Sequence, residues 1–129
     1  MSQTVLSLKT VTIYQDKNPV LTDVNIDVKH GEFLYLIGRT GSGKSSFLKT
    51  LYADLALTDG EGSIVDYDLN TLKEDDIPYL RRKIGIVFQD FKLLPDRNIL
   101  ENLLFVLKAT GWTNEVDMNA RIEDVLDRV

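Results

Sequence analysis

The residues Gly38-Arg-Thr-Gly-Ser-Gly-Lys-Ser45 match the pattern G-x-x-x-x-G-K-[ST]. Phosphate oxygens must shed water when a protein takes them up, and backbone N–H groups replace that water only where no side chain stands in the way. Gly41 and Gly43 supply such bare backbone. A helix starting near Lys44 would aim its free N–H groups and positive dipole end at the same point. Lys44 adds one ammonium for the outer phosphates, and the Ser45 hydroxyl is placed to ligate Mg²⁺. The candidate nucleotide-binding set in this stretch is Gly38, Arg39, Thr40, Gly41, Ser42, Gly43, Lys44, Ser45 and Ser46. The competing reading is a chance glycine-rich turn. A strand before the motif and a helix after it argue against that reading.

Those flanking elements are legible in the pattern. Phe33 to Ile37 is a short apolar run that predicts a strand buried on both faces. Phe47, Leu48, Leu51, Tyr52 and Leu55 recur at helical spacing. Upstream, Leu6 to Tyr14 predicts a strand of irregular alternation, and Val24 to Val28 alternates strictly. Gly60-Glu-Gly62 predicts a turn into a short strand at Ser63 to Val65. Asp75 and Asp76 predict a helix start with Asp76 as cap and Pro78 where a missing N–H costs little. Ile84 to Phe88 predicts another apolar strand. Asn98 with Glu101 predicts a capped helix through Leu107 that Gly111 ends. A last helix from Thr113 or Asn114 carries Met118, Ile122, Val125, Leu126 and Val129 on one face. It stops without a glycine, proline or polar tail, so the chain reads as an N-terminal portion that has been cut.

Composition narrows the class further. The 129 residues suit one domain, and 43% hydrophobic with 27% charged residues is ordinary for a globular fold. Net charge is −5, which gives no broad basic surface for nucleic acid. No apolar run approaches the ~20 residues that span a bilayer, and the N-terminus does not read as a signal peptide. There is no cysteine, hence no disulfide framework or thiolate metal site. A cytoplasmic domain follows, reaching a membrane only through a partner. His30 has no acidic partners at metal-ligand spacing, and Trp112 reads as a packing residue after Gly111.

The loop alone does not choose a reaction. Its surroundings resemble the ATP-binding subunits of ABC transporters, in "VLTDVNIDVKHGEFLYLIGRTGSGKSSFLKTL" and again in "LRRKIGIVFQDFKLLPDRNILENL". The second stretch is most similar to the FtsE-type cell-division subunits. The resemblance implies an α/β P-loop NTPase of the ABC ATPase type, truncated. It would hold N-terminal antiparallel strands, part of a core parallel sheet, and part of a helical subdomain. Strands and loop would fill about 1–90, and the start of the helical subdomain about 91–129. It implies ATP and Mg²⁺ as cofactors, with Tyr14 stacking on adenine and Gln89 ligating Mg²⁺ and approaching the attacking water. For Tyr14 the alternative is a strand tyrosine half in the core, and for Gln89 a plain loop residue.

The resemblance further implies a homodimer of the full-length ATPase and docking to a membrane permease-like, FtsX-like subunit through Phe91 to Asn98. That places the assembly at the cytoplasmic face of the inner membrane. Phe91, Leu93 and Leu94 would be exposed for docking, or else buried against the neighbouring helix. The family's Asp-Glu strand, switch histidine and LSGGQ-type signature do not occur in this sequence. The chain alone is therefore expected to be inactive, and its strand at Phe33 to Ile37 is expected to expose an edge and an apolar face. Two other assignments fit the same residues: a lipoprotein-export or macrolide-efflux ATP-binding subunit, and a non-hydrolysing nucleotide-binding module.

Overall fold

The computed structural model describes residues 3–129. The chain divides into two compact units, Met1–Gly85 and Ile86–Val129. The first unit is built on an antiparallel sheet in the order β2-β1-β3-β4, with β1 at Thr4–Gln15, β2 at Asn18–Lys29, β3 at Asp59–Ile64 and β4 at Tyr67–Asp68. Helix α1 (Lys44–Leu51) packs on it, and a 3₁₀ turn at Glu74–Asp76 leads into α2 (Ile77–Arg82).

The irregular alternation of β1 has a local cause. Leu6 and Leu8 are buried, and so are Val11 and Ile13, so the inward parity changes between Leu8 and Val11. One extra residue is accommodated there. Leu8 pairs with Ile26 and Val11 with Val24, three residues against two. On the other side Lys9 pairs with Glu61 and Thr12 with Asp59, again three against two. Such a bulge leaves a residue unpaired and bends the strand. Thr10 takes the strain, at φ 49°, and its N–H donates to the Asn25 side-chain oxygen at 2.9 Å.

Opposite the bulge on β3 stands Gly60, at φ 91°. A Cβ on it would lie 2.5 Å from the Thr10 carbonyl oxygen and 2.6 Å from the Val11 Cα. Gly62 lies equally close to the side chains of Leu57 and Leu8. The turn expected at Gly60-Glu-Gly62 is therefore a strand, and its glycines answer to close approach rather than to chain reversal.

Around this sheet Leu6, Leu8, Val11, Ile13, Phe47, Leu57, Leu69 and Leu80 form the core of the first unit. Helix α1 stops at Leu51, earlier than its apolar spacing predicts, and Leu55 packs on the core from beyond it. Asp76 precedes α2 without a side-chain cap bond, contrary to expectation. Its carboxylate instead accepts from the Lys73 N–H at 3.4 Å.

The strands expected over Phe33–Ile37 and Ile84–Phe88 are not formed among the described residues. A strand is held by ladder hydrogen bonds to a neighbour, and no described segment pairs with either run. Phe33, Tyr35 and Ile37 are all nearly fully exposed, as is Val87. In the second run, by contrast, Ile84, Ile86 and Phe88 are partly buried.

In the second unit, α3 (Ile99–Ala109) and α4 (Glu115–Arg128) pack together. Asn98 caps α3 by accepting from the Glu101 N–H at 2.8 Å, and Asn114 caps α4 by accepting from Asp117 at 3.1 Å. Gly111, at φ 99°, ends α3. Trp112 N–H donates to the Leu107 carbonyl and Gly111 N–H to the Lys108 carbonyl, the two bonds of a Schellman stop. Met118 and Ile122 are buried on the inner face of α4, whereas Leu126 is half-exposed and Val129 is free of cover.

Candidate functional site

The Gly38–Gly43 loop is folded on itself before α1. Ser42 N–H donates to the Arg39 carbonyl at 3.0 Å, closing a tight turn, and Gly41 follows the bend at φ 81°. Gly43 then occupies the position before the helix at φ 98°. A Cβ there would lie 3.0 Å from the Leu21 Cγ, so the loop lies against the edge of β2. The spacing of glycines thus serves two ends: left-handed backbone at both positions, and close approach to β2 at Gly43 alone.

The start of α1 differs from those of α3 and α4. No side chain caps it and no acidic residue stands in its first turn, whereas the other two carry Asn caps and carboxylates. Phe47 N–H begins the helical ladder by donating to Gly43 at 2.9 Å. The N–H groups before it are left to an outside acceptor, and the dipole end is unopposed by local negative charge. That is the chemistry of an anion site.

Lys44 is drawn into the same loop. Its Nζ donates to the carbonyls of Gly38 and Arg39, the latter at 2.8 Å, and reaches the Ser42 Oγ at 3.4 Å. The ammonium is therefore anchored over the turn by main-chain oxygens. Arg39 contributes its carbonyl rather than its guanidinium to this arrangement, and Arg39 and Thr40 are both exposed. Ser45 is exposed, while Ser46 is buried and its carbonyl accepts from Thr50 Oγ1 at 2.9 Å. Of the two serines, only Ser45 is open to solvent. Backbone donors, one cation and one free hydroxyl are the donor set that Mg²⁺ and a polyphosphate require.

Tyr14 is half-buried near the end of β1, on the strand face opposite Val11 and Ile13. Its hydroxyl reaches the Asp59 Oδ2 at 3.4 Å, so one side of the ring is tethered at its polar tip. Gln89 belongs to the second unit, where it is exposed in the turn that follows Phe88. Among the described residues no cluster of three or more His, Asp or Glu side chains could hold a metal by itself.

The segment after Gln89 settles the exposure of its apolar residues. Phe91 and Leu93 are 70% and 68% exposed, and Leu94 is half-buried. Lys92 N–H donates to the Asp90 carbonyl at 2.7 Å with Phe91 at φ 60° between them. This is the strained form of a three-residue turn, and it projects Phe91 outward. Sequence reasoning missed Leu21, Asp59 and Asn102 as supports of these features. For Asn102 a signal existed: with Glu101 it interrupts the run Ile99 to Leu107, whose other residues are all apolar.

A family model described as ABC transporter matches residues 21–129. The chain belongs to the ABC transporter family. It is 42% identical over 116 residues to the cell division ATP-binding protein FtsE of Bacillus subtilis, covering 90% of this chain and 50% of that one. It is 37% identical over the same length to FtsE of Streptococcus pneumoniae, with the same coverage. A dimeric ATP-binding cassette solved in a post-hydrolysis state with ADP and Pi superposes with a TM-score of 0.80 at 34% identity, over 95% of this chain and 56% of that one. The chain therefore spans about half the length of the curated relatives it matches. No helix among the described residues is long and apolar enough to cross a membrane.

Proposed function

We propose that this chain supplies the ATP-holding part of an FtsE-like ABC ATPase that works with a membrane partner in cell division. The observation that carries the reading is the uncapped start of α1, faced by the Lys44 ammonium and bare of carboxylates. Phosphate oxygens would take the N–H groups from Gly43 to Ser46, Lys44 would meet the outer phosphates, and Ser45 would ligate Mg²⁺, with Gln89 as a further ligand. Tyr14 would offer its ring face to adenine, which carries little charge and binds well by stacking. ATP supplies the free energy of phosphoryl transfer, and these residues bind and orient it.

Phe91 and Leu93 suit an apolar helix of a membrane permease-like, FtsX-like subunit, because they stand in water on a loop while the neighbouring Leu94 is held in. The degree of identity to FtsE supports the cell-division reading over the other ABC assignments. Dimerisation of the full-length protein is part of the same proposal, by analogy with the dimeric cassette.

Lys44→Ala tests the site. Loss of the ammonium should weaken binding of a fluorescent ATP analogue by the intact protein at least tenfold, with the helix content unchanged. Unaltered affinity would remove the phosphate-binding assignment. Copurification of the intact protein with a membrane subunit, and its loss on Phe91→Ser, tests the partner.

A further inference from the structure

Asn102 sits in the first turns of α3 and makes more side-chain hydrogen bonds than its place in an apolar helix requires. Its Oδ1 accepts from the Leu94 N–H at 2.8 Å, while its Nδ2 donates back to the Leu94 carbonyl at 3.2 Å. The same Nδ2 reaches the carbonyls of Arg97 at 3.1 Å and Asn98 at 2.9 Å. Towards Leu94 the side chain behaves as a peptide group would in a strand pair. Only a carboxamide can do this, because it accepts and donates from one planar end. The Arg97 guanidinium, 5.1 Å from the Phe105 ring centre, makes a second attachment of the loop to α3.

The loop that Asn102 fastens is the one that presents Phe91 and Leu93. These apolar side chains are exposed, the turn at Phe91 and Lys92 is held in the left-handed region at φ 60° and 52°, and Asp90 pairs with Lys92 at 3.1 Å. An apolar surface on a loose loop binds weakly, since ordering it on association costs free energy. Pinned at Leu94, Arg97 and Asn98, the loop is ordered in advance.

We propose that Asn102 is a positioning residue for partner docking: it clasps the Leu94–Asn98 backbone to α3 so that Phe91 and Leu93 form a preformed apolar platform for a helix of the membrane subunit. This rests on reading Phe91 to Asn98 as the docking segment. In this role Asn102 acts through the loop.

The test uses the intact protein reconstituted with its membrane subunit, with ATP-analogue binding as the control for folding. Asn102→Ala removes every bond; Asn102→Asp keeps the acceptor for Leu94 and turns a carboxylate toward three carbonyls. Both should raise amide exchange at Leu94 to Asn98 about tenfold and weaken partner binding by a similar factor, leaving ATP affinity and the exchange of α4 unchanged. If Asn102→Ala does not fold, Asn102→Asp carries the comparison. Unchanged partner affinity in both variants, alongside a loss in Phe91→Ser and Leu93→Ser, overturns the positioning role and leaves the docking surface standing. Unchanged affinity in Phe91→Ser and Leu93→Ser overturns the docking surface itself. Weaker partner binding with no faster exchange in the loop also refutes the clasp.

Discussion

Alanine at Gly43 and at Gly41 should separate two physical demands that the same loop places on glycine. Both positions have left-handed backbone, φ 98° and φ 81°, and an alanine held there costs on the order of 1–3 kcal/mol. At Gly41 nothing lies within 4 Å of the added Cβ, so the conformational cost is the whole effect. At Gly43 the Cβ meets three atoms of the Leu21 side chain at 3.0 to 3.4 Å. Leu21 is half-buried at the core edge and can yield by leaving its rotamer, which costs a further 0.5–1.5 kcal/mol or about that order. Gly43→Ala should therefore destabilise the intact protein more than Gly41→Ala by about 1 kcal/mol, roughly fivefold in the folding equilibrium. Urea unfolding of both variants at matched m-value measures this. Both should also lose affinity for an ATP analogue, because the relaxed loop turns its N–H groups aside. Equal stability of the two variants refutes the Leu21 contact, and wild-type stability in both refutes the strained backbone.

Gly60→Ala should be the most damaging glycine replacement. The new Cβ would face backbone atoms of Thr10 and Val11 that cannot swing away, and a melting temperature within a degree or two of wild type would contradict the bulge geometry. Asn98→Ala and Asn114→Ala should each cost about 1 kcal/mol through loss of the helix cap, read by thermal or urea unfolding; unchanged stability in either variant would contradict its capping role. The 129-residue chain expressed alone should self-associate with rising concentration, because Phe33, Tyr35, Ile37 and Val87 stand in water. A monomer with a cooperative urea transition and an ordinary m-value would count against that.

What the sequence disclosed followed from how tightly physics constrains each feature. The Gly38–Ser45 motif is legible because it places particular residues at fixed spacing. The Asn98 and Asn114 caps and the Gly111 stop were legible because each satisfies a local need of a helix end. The strands at Phe33 to Ile37 and Ile84 to Phe88 were not, because a strand exists only with a neighbour, and composition cannot report whether one is present. Gly60 and Gly62 do not form the expected turn because glycine answers equally to chain reversal and to crowding, and the atoms that crowd Gly60 belong to β1, some fifty residues away in sequence. The exposure of Phe91 and Leu93 was open for a similar reason: an apolar side chain states a preference for burial, not the surface that will provide it. The role of Asn102 is not legible because its three partner residues lie in a loop whose shape is set only in three dimensions.

The extra residue at Thr10 has a consequence for the aromatic position ahead of the loop. Alternation along β1 is counted in two separate phases, one through Leu8 and another from Val11 onward, so Tyr14 faces away from the core only because the count is reset. Without that reset, unbroken alternation from Leu6 would turn the same tyrosine inward and put Ile13 outward, whereas deleting the extra residue would leave both facing as they do. In a strand of this kind, the residue proposed to face adenine is found by counting forward from the irregularity, and an ungapped comparison that starts from the strand's first residue would assign the wrong one.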